Sequence, residues 1–91
     1  MLFATRTVFR SVNSDQTIEF YPGTEGHKFI WQSPNADKQG TYRFLKDQLE
    51  ILFNYTREET YGFTILEGEV DLVISFRLRD RFGRETDFRK V

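Results

Sequence analysis

The chain lacks cysteine altogether, has a single histidine and two prolines, and holds no apolar run near the length of a membrane span. Without cysteine there are no disulfides, no thiol nucleophile and no cysteine-based zinc or iron–sulfur site, so the fold is indifferent to a reducing compartment. One histidine, His27, rules out two-histidine metal sites and leaves any acid–base chemistry there without an imidazole partner. The run Gly-Thr-Glu-Gly-His-Lys from Gly23 lacks the spacing of a phosphate-binding loop and leads into a strand instead of a helix N-terminus, so it reads as a hairpin loop.

None of the serines Ser11, Ser14, Ser33 and Ser75 stands in a Gly-x-Ser-x-Gly elbow. The acidic residues Glu58, Glu59, Glu67, Glu69 and Asp71 follow no calcium-loop spacing and read as a solvated rim. The expectation is a protein that is not an enzyme and has no cofactor or metal. At the start, Arg6 and Arg10 interrupt the apolar residues too early for a secretory signal. A soluble, cytoplasmic protein that makes no membrane contact is expected.

Charge of one sign is also missing overall, since 13 Lys and Arg face 14 Asp and Glu for a formal net of −1. That excludes the strong positive field of a general nucleic-acid binder. The distribution is uneven, because residues 77–91 hold six basic and three acidic groups against seven and eleven in residues 1–76. The chain therefore carries a basic terminal patch of Arg77, Arg79, Arg81, Arg84, Arg89 and Lys90.

What the chain has in quantity is aromatic side chains: ten Phe, four Tyr and one Trp in 91 residues, enough for one core in one domain (1–91) and not for two. Strand-like composition marks Leu2–Val12, Gln16–Tyr21 with Ile18 and Phe20 on one side, and His27–Gln32 with Phe29, Ile30 and Trp31. Asn13-Ser14-Asp15 separates the first two and Pro22-Gly23 opens the next turn. After a polar stretch from Ser33 to Gly40, Leu45, Leu49, Leu52, Phe53 and Thr56 recur at helical spacing behind Thr41 as cap. Phe44, Ile51 and Tyr55 widen the stripe, and Arg57–Thr60 ends it. A helix is predicted there.

The last third reads as a β-meander. Taking Glu67-Gly68 as a two-residue loop sets Ile65 opposite Val70, Phe63 opposite Leu72 and Tyr61 opposite Ile74. Asp80-Arg81-Phe82-Gly83 fits a type I turn with a glycine bulge, which sets Arg79 opposite Glu85, Leu78 opposite Thr86, Arg77 opposite Asp87 and Phe76 opposite Phe88. Both turns put apolar residues on one face for the helix to cover.

The predicted fold is therefore α+β, an antiparallel sheet or sheets of about six strands with one helix, in the order β-β-β-α-β-β-β. One helix cannot cover six strands, so Phe3, Phe9 and Trp31 are candidates for a contact with a protein partner or with a second copy in a homodimer. Arg77 and Arg79 have cross-strand carboxylates, which leaves Arg81, Arg84, Arg89 and Lys90 as the basic groups free to engage a partner. The functional expectation is a binding or assembly module acting through an uncovered aromatic sheet surface or an edge strand. The alternative is RNA or single-stranded DNA binding by the basic hairpin, where Phe82 and Phe88 interleave with arginine.

Overall fold

Side chains along a strand point alternately to its two faces, and this period of two sets what each strand of the protein buries. A computed structural model describes residue 3 and residues 5–22, 27–53 and 57–91. The readings placed on Leu2, Ala4, the Gly23–Gly26 loop, Tyr55 and Thr56 lie outside these residues. The described chain forms β1 (Thr7–Ser11), β2 (Thr17–Tyr21), β3 (His27–Gln32), β4 (Asp37–Leu45), β5 (Gln48–Phe53), β6 (Arg57–Glu69), β7 (Leu72–Arg79) and β8 (Glu85–Lys90). Each strand pairs antiparallel with the next, and β8 pairs with β1, so the sheet closes into a barrel.

This corrects the α+β expectation: the protein is all-β, with eight strands and no helix among the described residues. The predicted helix is the β4–β5 hairpin. Tyr42, Phe44, Leu49, Ile51 and Phe53 face inward, while Arg43, Leu45, Gln48, Glu50 and Leu52 alternate with them. Leu45 and Leu52 supplied two members of the helical stripe, yet both are exposed on the outer face. The two-residue turn Lys46-Asp47 joins the strands, with Leu45 opposite Gln48 and Lys46 at φ 56°. Gly40 is required in β4 because a Cβ there would lie 1.9 Å from the carbonyl oxygen of Leu52.

The three N-terminal strands fall close to where composition put them, with Ile18 and Phe20 buried side by side on β2. In the meander the second turn has the expected register at every pair from Arg79–Glu85 to Phe76–Phe88. The first does not. The chain reverses at Val70-Asp71, three residues later than Glu67-Gly68, and Ile65 pairs with Phe76 and Phe63 with Leu78. Two compensating bulges, Leu66 on β6 and Ile74 on β7, sit between those pairs and the hairpin tip. They put Val73 inside and leave Val70 and Leu72 both 59% exposed, although both were expected in the core.

Closure solves the covering problem without a helix. An eight-stranded barrel is just wide enough for side chains to fill it, and here phenylalanines do so. Phe3 stacks on Phe20 at 4.5 Å, Phe9 meets Phe76 at 4.8 Å, and Phe76 touches Phe63 at 5.0 Å and Phe88 at 5.2 Å. Nine of the ten phenylalanines belong to this packing, which singles out Phe82 as the exception. Phe3 and Phe9, proposed from sequence as contact residues, are core residues with no surface to offer. Every strand has two neighbours, so the described sheet has no free edge either. Self-association thus loses the uncovered aromatic face that argued for it.

No helix among the described residues is long and apolar enough to cross a membrane. The outside of the barrel carries ion pairs such as Arg6–Glu19, Arg43–Glu50 and Arg77–Asp87, and the inside is apolar. A membrane-spanning barrel has the opposite arrangement.

Candidate functional site at the barrel mouth

At one end of the barrel the inward positions change from aromatic to polar. On β4 the inward series Phe44, Tyr42, Gly40 ends at Lys38, and on β6 the series Ile65, Phe63, Tyr61 ends at Glu59. Alternation thus brings a cation and an anion to the same mouth. Lys38 Nζ donates to Glu59 Oε1 at 2.7 Å and to the Tyr61 hydroxyl at 3.4 Å, and the Tyr61 hydroxyl donates to Glu59 Oε1 at 2.6 Å. The ammonium also lies 5.2 Å from the Trp31 ring centre and 4.9 Å from that of Phe53. Trp31 in turn packs on Tyr61 at 5.3 Å and donates its indole N–H to Gln16 Oε1 at 2.9 Å.

Electrostatics fix the protonation states of this group. Partial burial disfavours the Glu59 carboxylate. Hydrogen bonds from Lys38 and Tyr61, and the nearby charges of Lys38 and Arg57, outweigh it and hold the carboxyl below its ordinary value. Burial first, and then the bond to Glu59, push the Tyr61 phenol far above its ordinary value. Glu59 is an anion and Tyr61 a neutral donor at physiological pH.

These residues line a cavity of about 900 Å³ with Leu78 and Thr86. Its rim carries Arg57, Glu58, Arg81, Phe82 and Arg84. The β7–β8 turn places the last three. Asp80 Oδ1 accepts from the backbone N–H groups of Phe82 and Arg84, both at 2.9 Å, its Oδ2 accepts from Arg84 Nε at 2.9 Å, and Gly83 takes φ 83°. Desolvation of the Asp80 carboxyl is outweighed by these hydrogen bonds, which hold it below its ordinary value. The tight turn displays Phe82, 68% exposed, with the guanidinium of Arg81 at 4.8 Å and that of Arg84 at 5.4 Å from its ring centre.

The structure therefore brings Trp31, Arg81 and Arg84 to one cavity. It does not bring Arg89 or Lys90 there: Arg89 pairs with Glu67 at 2.7 Å, and Lys90 sits where β8 closes on β1 beside Phe9. Arg77 and Arg79 have the expected partners, Asp87 at 2.7 Å and Glu85 at 3.3 Å. Compared with known proteins, the chain matches no family model, no curated protein and no solved structure. Among the described residues no cluster of His, Asp and Glu could hold a metal ion.

Lys38, Glu59, Tyr61 and Arg57 are the site residues that sequence reading missed. Their signal is one of parity and needs the strands to be recognised first: Lys38 and Glu59 are charged residues of the inward parity, near the strand ends where the aromatic series stops.

Proposed function

We propose that this chain is a non-catalytic binding module of the cytoplasm that receives an acidic segment of a protein partner in the mouth around Trp31. The observation that carries this reading is the composition of the cavity, with Trp31 and Tyr61 beneath a rim of Arg57, Arg81, Arg84 and Phe82. Trp, Tyr and Arg are the residue types that dominate binding energy at protein interfaces. The charge left over at the rim is positive. Lys38 is engaged by Glu59 and Arg84 by Asp80, while Arg81, Arg57 and Glu58 form no ion pair among the described residues, so two cations stand against one anion. An apolar side chain of the partner packs against Trp31 while flanking carboxylates meet Arg57 and Arg81. With no free edge on the barrel, recognition is by side chains and not by strand addition.

Trp31 is the single tryptophan and reports on its own site. Titration with Asp- and Glu-rich peptides carrying one leucine or phenylalanine should give a saturable change in its emission. Binding should weaken with salt and with Arg81→Ala or Arg57→Ala, and persist in Arg89→Ala. Absence of a saturable response across such peptides, or equal sensitivity to Arg89→Ala, refutes the reading.

A second reading rests on Phe82, an exposed ring between two guanidinium groups on a hairpin tip, which is a stacking platform suited to single-stranded nucleic acid. Oligo(dT) distinguishes the two. If it binds and Phe82→Ala abolishes binding while Lys38→Ala does not, the hairpin tip rather than the cavity is the site.

A further inference from the structure

The opposite mouth of the barrel has different chemistry, and it contains buried polar atoms with no hydrogen-bond partner among the described residues. Gln48 pairs with Gly62, and Phe63 N–H donates to the Asp47 carbonyl at 2.8 Å, so the β4–β5 turn ends level with the middle of β6. The rest of the β6–β7 hairpin runs past it. The bulges at Leu66 and Ile74 break its straight course, and its tip residue Val70 lines a cavity of about 670 Å³ together with His27, Tyr42, Phe44, Phe63 and Ile65, while the exposed Arg43, Lys46 and Asp47 border it on the side of the β4–β5 turn. Tyr42 is 5% exposed, and its ring lies 5.4 Å from that of His27. The Tyr42 hydroxyl and His27 Nδ1 are both buried, and neither has a hydrogen-bond partner among the described residues. Buried polar groups are as a rule hydrogen-bonded, so a pair of them orphaned in one cavity points to a missing partner.

We propose that this second mouth is a binding site for a small, uncharged, mostly apolar molecule that carries a hydroxyl group, an alcohol or a phenol. A hydroxyl both accepts and donates, so it can accept from the Tyr42 phenol and satisfy His27 Nδ1 in either imidazole tautomer. The body of the ligand packs on Phe44, Phe63, Ile65 and Val70. A charged head is disfavoured beside Tyr42, since an ion at that depth would lose its hydration and find no ionic partner at the buried hydroxyl. Burial also pushes the Tyr42 phenol up to about 12, which keeps it a donor. The third orphaned atom, Ser75 Oγ, lies outside this cavity and plays no part.

Phenol and toluene, which differ in the hydroxyl alone, are the probes. Phenol should shift the NMR signals of His27, Phe44 and Phe63 saturably and leave the Trp31 indole signal at the other mouth in place. Toluene should bind at least about fivefold more weakly, as should phenol to Tyr42→Phe, since the first change removes both neutral hydrogen bonds of the ligand hydroxyl and the second removes one. Without ligand, Tyr42→Phe should melt no lower than the parent, because the lost hydroxyl was unpaired. Three results overturn the proposal: no saturable shift with phenol, equal affinity for toluene or for the Tyr42→Phe variant, or a lower melting temperature for that variant. The last would mean that water already satisfies the hydroxyl.

Discussion

The two ends of this barrel are built by the same strands on the same alternation and yet differ in kind. At one mouth Lys38, Glu59 and Tyr61 satisfy one another, and the charge left over lies on the rim. At the other, the Tyr42 hydroxyl and His27 Nδ1 are buried without hydrogen-bond partners among the described residues, beside Phe44, Phe63, Ile65 and Val70. Between them stands a septum of phenylalanine. The comparison shows that barrel closure fixes which positions point inward, and the residue on the last inward rung fixes what the mouth can recognise.

Removing the septum is the strongest way to break that separation. Phe76 is fully buried and packs on Phe9, Phe20, Phe63 and Phe88. Phe76→Ala should cost about 3–5 kcal/mol in urea unfolding, a large part of the stability of a domain this size. Loss of both mouths together is expected, and a loss below about 1 kcal/mol would show that the ends fold independently of this core.

The charged mouth responds to acid, and Glu59→Gln isolates its share. The Glu59 carboxyl is held below its ordinary value, so its stabilisation is complete above the unfolded-state value near ~4.3 and fades as pH falls through the folded one. Glu59 is about one-third exposed, so solvent screening reduces the effect of the substitution to about 1–2 kcal/mol at pH 7. The gap between parent and variant should be constant well above ~4.3 and narrow as pH falls below it and through the folded-state value. Asp80 and Asp87 are also held low, but they are common to both proteins and cancel in the difference. A gap independent of pH would place the effect in packing instead of charge.

One substitution made at both mouths should have opposite signs. Tyr61→Phe removes a donor to Glu59 and an acceptor for Lys38, and should destabilise by about 1 kcal/mol. Tyr42→Phe removes a hydroxyl with no hydrogen-bond partner among the described residues and should stabilise by about 0.5–1 kcal/mol. Chemical denaturation of the two variants in parallel decides it, and the same sign in both would erase the distinction between satisfied and orphaned ends.

The parts of the molecule legible in sequence were those whose turns carry turn chemistry. Asp80 and Gly83 set the β7–β8 register through every pair, and with it the ion pairs Arg77–Asp87 and Arg79–Glu85. Glycine misled one hairpin earlier. Gly68, at φ 97°, serves a strand beside the bulges and not the turn itself, because a Cβ there would lie 2.1 Å from the Leu72 carbonyl oxygen. Trp31, Arg81 and Arg84 were found from residue type, whereas Lys38 and Glu59 required knowledge of which face of β4 and β6 turns inward. That knowledge was lost once the β4–β5 segment was read as a helix.

The turn that hid this hairpin provides the smallest test. Lys46 holds φ 56°, a left-handed conformation that glycine adopts freely and a lysine side chain disfavours. Two-residue hairpin turns usually announce themselves with glycine or asparagine; Lys46-Asp47 does neither, so the apolar residues on either side joined into one helical stripe. Lys46→Gly should relieve the strain and stabilise the barrel by up to about 1 kcal/mol, less the entropy that glycine adds to the unfolded chain. Because β5 carries Phe53 toward the charged mouth and the Lys46-Asp47 turn borders the apolar one, a firmer hairpin should slow amide exchange at both ends. Slower exchange confined to residues near the turn would instead show that the two mouths are held by different strands.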